Sequence, residues 1–368
     1  MTAIRVEQKL DERACIARKA RGRRGLQHLF KEKSDMTSPQ QPIGSGFGAA
    51  STAADVIKRT DLSGRTAVVT GGHSGLGLET TRALRSAGAT VVVPVRSPDR
   101  ARDMLRGIDG VEIDQLDLMD PASIDAFADR FLATGRPLDI LVNSAGIQNV
   151  PLTRDARGYE AQFATNHLGH FQLSTRLWPA LRRARGARVV SVSAWAHHLS
   201  PVVFDDPNFE RREYDGWLGY GQSKTANILF AVGLDQRGEA DDIRGFSLHP
   251  GLIIGTNLSP WTTPEYLRAN GLVDEHGNRV IDPQSGRKTA EQGASTIVWC
   301  ATAPQLDGMG GVYCENNEIS PLLTSHDESI DVMTGRVETP VGVMSYAVDP
   351  QLADRLWDLS EQLTGSKV

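Results

Sequence analysis

Long apolar runs are missing from this chain. Nowhere in its 368 residues is there an uninterrupted apolar stretch of the roughly 20 residues that a membrane-spanning helix needs. The N-terminus also lacks a basic stub followed by an apolar stretch and a small-residue cleavage site, the layout of a secretory signal. The expected location is therefore the cytoplasm. Cysteine is scarce: Cys15, Cys300 and Cys314 are the only three, and their spacing suits unpaired thiols better than a disulfide framework. Positive charge is not in excess either. A formal net charge of −5 argues against a nucleic-acid-binding body, which would present a basic face.

Basic residues do gather at one place, Arg18-Lys19-Ala20-Arg21-Gly22-Arg23-Arg24. The first 35 residues read either as a tail for nucleic acid or a membrane surface, or as a disordered extension upstream of a start at Met36. Residues 37–54, rich in Gly, Pro, Ser and Gln, read as a linker or loosely attached arm. The expected organisation is thus an extension and linker over 1–54 and a single domain over 55–368.

From Leu62 onward short β-branched runs alternate with amphipathic stretches. Strands are expected at Thr66–Thr70, Thr90–Val95, Val111–Leu116, Ile140–Asn143, Val189–Ser193 and Arg244–Leu248. Helices are expected near Gly75–Ala87, Pro121–Ala133, Tyr159–Arg183 and Leu218–Gln236. This alternation specifies βαβ units and one doubly wound parallel α/β sheet of about seven strands, Rossmann-like, with helices on both faces. The weakly periodic stretch 257–289 reads as an insertion over the ligand cleft.

Directly after the first strand stands Thr70-Gly71-Gly72-His73-Ser74-Gly75-Leu76-Gly77. Glycines in a strand–turn–helix setting let the backbone turn tightly and approach a pyrophosphate at a helix N-terminus. A second pattern is Tyr220-Gly221-Gln222-Ser223-Lys224, a phenol and an ammonium one helical turn apart. A cation held beside a phenol favours the phenolate, giving a proton donor or acceptor suited to hydride transfer at a carbonyl carbon. Taken alone, each pattern also has a plain structural reading, as a tight turn and as a solvated helix face.

Together with Asn143-Ser144-Ala145-Gly146, Asn166 and Ser193, these segments resemble the short-chain dehydrogenases/reductases in order and spacing from about Leu62 to Tyr313. The resemblance implies a catalytic set of Asn166, Ser193, Tyr220 and Lys224. In it Tyr220 is the general acid/base, Ser193 bonds the substrate oxygen, Lys224 holds the nicotinamide ribose, and Asn166 anchors a relay water. It also implies cofactor contacts from Gly71, His73, Ser74, Gly75, Leu76, Gly77, Asp117, Leu118, Asn143, Ala145, Gly146, Tyr220, Lys224, Pro250, Gly251 and Thr256. Ser144 stands where the family's turn has a second Asn, and the spacer before Thr256 is one residue longer than in many members. Val95 and Arg96, in place of a carboxylate after the second strand, point to NADP(H) rather than NAD.

Tyr220 to Phe230, Ala290 to Ala294 and Gly310 to Tyr313 resemble the retinol-dehydrogenase-like (WW-domain-oxidoreductase-like) branch. That implies a bulky hydrophobic alcohol, aldehyde or ketone as substrate, with Trp195, Leu199, Trp217, Trp261 and Tyr266 either lining the cleft or packing in the core. The family's pairing through long central helices allows a homodimer or homotetramer, although monomers occur. The alternative functions are a carbon–carbon double-bond reductase of the enone type and a catalytically silent NADP-binding regulator. The pairs His167/His170 and His197/His198 lack an acid or thiol at zinc-like spacing, so no metal is expected.

Overall fold

The structure, a computed structural model, describes residues 39–253, 258, 263–269, 271–323 and 342–368. The basic N-terminal stretch, Cys15, Thr256, Trp261 and the side chain of Tyr266 lie outside the described residues.

Six strands follow the expected alternation: β1 (Thr66–Val69), β2 (Thr90–Val95), β3 (Val111–Gln115), β4 (Ile140–Asn143), β5 (Ala187–Val192) and β6 (Ile243–His249). β7 (Leu252–Ile253) and β8 (Arg287–Lys288) form a small ladder of their own, while β9 (Val312–Glu315) and β10 (Glu318–Ile319) extend the main sheet. The main sheet runs β3-β2-β1-β4-β5-β6-β9-β10. Its pairs are parallel except β9–β10. The eighth, antiparallel strand arises because Asn316 and Asn317 adopt φ of +54° and +62°, a left-handed pair that reverses a chain in two residues. Burial on both faces explains the unbroken apolar strands. Ala67, Val69, Val91 and Val93 face one layer with Ile297 and Trp299, and Val68, Val92, Leu141 and Val189 face the other with Phe127 and Phe171.

Three expectations change. Residues 39–54 are not a loose arm: the Glu318 carboxylate accepts the amides of Ile43, Gly44 and Ser45 at 2.7–2.9 Å, and the buried Gln40 accepts the Tyr313 amide at 3.0 Å. Side-chain acceptors placed along the β9–β10 edge fix this segment where composition alone suggested freedom. Next, the helix expected over Tyr159–Arg183 is broken into Ala161–Phe163, a π segment Ala164–Leu168, Gly169–Arg176 and Trp178–Ala184. Pro179 has no amide hydrogen to continue a ladder, and the wide π turn carries Asn166. Lastly, the long helix Gly216–Gly238 is covered by the chain's own C-terminal helix Pro350–Thr364. Trp357 stacks on Phe230 at 6.0 Å and meets Phe171 edge-on at 4.9 Å. Pairing of two copies through the long helices would have to accommodate this helix.

Candidate active site

The direction of winding reverses between β1 and β4, and the loops leaving these strands touch there. Gly71 has φ +68°, and Gly75 has φ +52°. A Cβ on Gly71 would lie 3.2 Å from Ala145 Cα, and one on Gly77 only 2.3 Å from the Gly71 carbonyl oxygen. Backbone therefore meets backbone across the switch point, where open α/β sheets bind ligands. Ser74 precedes the twelve-residue helix Gly75–Ser86 and makes no side-chain cap, while Leu76 packs towards Gly293. The first amides of such a helix are left without intrahelical acceptors, an arrangement that favours an anion.

His73 Nδ1 is buried without a partner among the described residues. Its pKa is lowered first by burial and then by the charges of Arg100 and Arg96. Both guanidiniums are exposed, and the neighbouring acids are taken, Asp99 by Arg102 and Asp103 by Arg106. An orphaned ring nitrogen beside two cations without an acidic partner among the described residues fits a phosphate. Arg100 was not singled out from the sequence, although its spacing of one helical turn from Arg96 was there to be read. Asp117 turns inward to its own loop, its carboxylate accepting the Met119 amide at 3.0 Å, and Leu118 is buried. Asn143 donates to Ser174 at 3.2 Å, leaving its Oδ1 buried and unpartnered among the described residues. Ser144 contributes its backbone amide, which donates to Thr70 Oγ1 at 2.9 Å, so the missing second Asn leaves this contact intact.

The four expected catalytic residues come together. Asn166 Oδ1 accepts the Ile147 amide at 2.9 Å, and its Nδ2 donates to the Ile147 carbonyl at 3.0 Å and to Ser223 Oγ at 2.9 Å. Its side chain thus clamps the β4 loop to the helix of Tyr220; the relay water implied by the resemblance would have to use another atom. Gly146 makes room for this, since a Cβ there would lie 2.9 Å from Asn166 Oδ1 and 3.7 Å from Lys224 Nζ. Ser193 Oγ donates to the Lys224 carbonyl at 2.7 Å, and Lys224 Nζ donates to the Val192 carbonyl at 2.9 Å.

Tyr220 is buried, with Lys224 Nζ 5.5 Å from its ring centroid and the Trp217 ring edge-on at 6.2 Å. Burial pushes the Tyr220 phenol above its ordinary pKa and brings the Lys224 ammonium down to about 7. The expected depression of the phenol is therefore not found: desolvation of a buried phenolate outweighs a cation at this distance. Gly251 has φ +97° and packs against Lys288 and Gly286, with Pro250 buried beside it.

A cluster that the sequence did not reveal lies beyond Ser193. Trp195 Nε1 and Tyr313 Oη donate to Glu315 Oε1 at 3.1 and 2.9 Å, and the Gly342 amide donates to Oε2 at 3.1 Å. His249, paired in register with Glu315, lies against Trp195 with ring centroids 4.2 Å apart. Lys288 Nζ donates to Asn316 at 2.6 Å. The β6–β9 register sets His249 beside Glu315, positions far apart in the sequence. His167 and His170 are buried and hydrogen-bonded, to Ser360 and Thr70 at 2.7 and 2.9 Å.

The profile of the family described as short chain dehydrogenase matches residues 65–265, more than half of the chain. The chain belongs to the short-chain dehydrogenase/reductase family. It is an oxidoreductase of the retinol-dehydrogenase-like branch. It is 47% identical to the "Probable oxidoreductase" of Streptomyces lividans, covering 81% of this chain and 97% of that one. It is 33% identical to human retinol dehydrogenase 12, over 83% and 87% of the two chains. Among solved structures, an uncharacterized protein of Mycobacterium paratuberculosis superposes with a TM-score of 0.64 at 33% identity, over 86% of this chain and 98% of that one. A short chain dehydrogenase of Burkholderia cenocepacia, solved with NADP, shares the fold at a TM-score of 0.54 and 24% identity, over 69% and 96%.

Proposed function

We propose that this member of the family is an NADP(H)-dependent oxidoreductase. It moves a hydride between the nicotinamide and the carbonyl or alcohol carbon of a bulky apolar substrate. The observation that carries this reading is the meeting of Ser193, Tyr220 and Lys224 at the ends of β5 and the long helix, within reach of the β1–β4 switch point. NADP(H), when bound, supplies or accepts the hydride. His73, Arg96 and Arg100 would receive the 2′-phosphate, the glycine turn and the amides of Gly75–Ser86 the pyrophosphate, and Lys224 with the Pro250–Gly251 turn the nicotinamide end.

Tyr220 then delivers a proton to the substrate oxygen in reduction and removes it in oxidation. The phenol is protonated at neutral pH, so donation needs no prior ionisation, and in oxidation Lys224⁺ stabilises the phenolate. Ser193 Oγ can turn from the Lys224 carbonyl to bond the same oxygen. Trp217 beside the phenol supplies an apolar wall.

The test is Tyr220→Phe with NADPH and a panel of hydrophobic aldehydes, ketones and enones. Turnover of carbonyls should fall by roughly a thousandfold or more, with NADPH affinity kept within about threefold. Turnover of enones alone by the wild type would replace the carbonyl reading with double-bond reduction. A folded wild type that binds NADPH and turns over neither class would favour a regulator.

A further inference from the structure

A buried histidine outside the catalytic set ties both cofactor loops to the helix that follows Asn166. His170 is 2% exposed. Its Nδ1 lies 2.9 Å from the Asn166 carbonyl oxygen and its Nε2 lies 2.9 Å from Thr70 Oγ1. A carbonyl only accepts, so Nδ1 carries the proton and Nε2 is left as an acceptor. Thr70 then gives its one hydroxyl proton to Nε2 and turns its lone pairs to the amides of Ser144 and Ala145, at 2.9 and 3.0 Å. Each of these atoms has one role, and the Nδ1–H tautomer alone satisfies them all. Burial lowers the His170 pKa to about 4, which keeps the ring neutral at physiological pH.

One turn along the same helix, Ser174 Oγ accepts from Asn143 at 3.2 Å and donates to the His170 carbonyl at 2.7 Å. One helix face thus reaches the ends of the adjacent strands β1 and β4. That is where Gly71 and Ala145 come close together.

We propose that His170 is a positioning residue for the nicotinamide cofactor: it orients the Thr70 hydroxyl so that the β4 loop stays closed on the glycine turn. This rests on the cofactor reading given above. Without the Nε2 acceptor, Thr70 can donate to the Val142 carbonyl at 3.3 Å instead, and its lone pairs no longer match the two amides.

Two substitutions separate the two arms of the ring. His170→Gln can place an amide oxygen towards Thr70 but gives up the side-chain donor to the Asn166 carbonyl, whereas His170→Asn keeps a donor near that carbonyl and does not reach Thr70. NADPH affinity is measured by fluorescence titration on protein whose folding is checked by thermal melting. His170→Gln should stay within about threefold of wild type. His170→Asn and Thr70→Val should each weaken binding about tenfold, and their combination no more than either alone, as expected for one shared hydrogen bond. Nitrogen-15 spectra of histidine-labelled, cofactor-free protein should show the Nδ1–H tautomer. Equal weakening by Gln and Asn, lowered melting points with unchanged affinity, or an Nε2–H tautomer would each overturn the assignment. A folded wild type that binds neither NADPH nor NADH overturns the cofactor reading as well. Tight wild-type binding that His170→Asn leaves unchanged overturns the His170 role alone.

Discussion

The end of the sheet at β1 and β4 and the end at β5, β6 and β9 are built from different materials. At β1–β4 the close contacts run from backbone to backbone through Gly71, Gly77 and Ala145, with the Thr70 hydroxyl as the hub. At β5–β9 they run from side chain to side chain through Trp195, His249, Lys288 and Glu315, the last three buried groups that can be charged or neutral. A backbone cradle needs small residues at fixed places and offers amides that suit any phosphate. A cluster of large polar side chains can be retuned one residue at a time. On the proposed function, the first end would suit a cofactor of fixed chemistry and the second a more variable substrate.

The sharpest break in that contrast is Gly77→Ala. Its Cβ would lie 2.3 Å from the Gly71 carbonyl oxygen, a clash with backbone that no rotamer relieves. The cost should be about 3 kcal/mol, the upper end of ordinary overpacking. Thermal melting should register it together with loss of NADPH binding by more than about tenfold. Unchanged melting and affinity would mean that the close approach at the switch point does not hold.

Arg96→Ser combined with Arg100→Ser should act more selectively. Removing two exposed cations should lower the preference for NADPH over NADH by about ten- to a hundredfold, since charge-assisted hydrogen bonds contribute about 1.5–3 kcal/mol each and exposure reduces that. NADH affinity should hardly move. Equal loss for both cofactors would shift the role of the two arginines from the 2′-phosphate to the pyrophosphate.

At the other end Glu315→Gln tests a side-chain node. Burial raises the Glu315 carboxyl to about 7 from 4.5. The unfolded chain thus ionises first as pH rises through this window, and stability falls between pH 4.5 and 7. Glutamine escapes that loss, but its amide nitrogen opposes the Gly342 amide that Oε2 accepts. The variant should therefore be less stable than wild type near pH 5, with the gap narrowing by roughly 2 kcal/mol by pH 8. Melting curves at the two pH values measure it, and a gap that ignores pH would mean an ordinary carboxyl.

How much of this was legible in the sequence follows the same division. Strand order and the glycine turn were readable because apolar β-branched runs and Gly spacing constrain local backbone directly, and helix Pro121–Ala133 occupies its expected bounds. Tyr220 and Lys224 are one turn apart on one helix, so their proximity was visible too. Their pKa values were not: the phenol rises because it is buried, next to a stretch where Gly221 packs on Ala196 and Leu199, and no local pattern announces that. Glu315 and His249 are 66 residues apart in number and adjacent only through the β6–β9 register. His170 was read as one of a pair with His167, and nothing local says that it faces Thr70, a hundred positions earlier.

Lys224 joins the two ends, since Nζ bonds the Val192 carbonyl of β5 and stands near Gly146 after β4, and it carries the smallest expected effect. With its pKa lowered to about 7 by burial, it is about half charged at neutral pH before any cofactor binds. Ribose hydroxyls that accept from the ammonium favour the charged form, so binding takes up a proton. Below pH 7 the group is charged in either state and affinity is level. Above it the free protein has lost the proton, and the NADPH dissociation constant should rise by roughly threefold or more between pH 7 and 8. Calorimetry in buffers of different ionisation enthalpy should record the uptake directly, with none for Lys224→Met. Proton uptake that persists in that variant would place the titrating group at the phosphate end and leave Lys224 charged throughout.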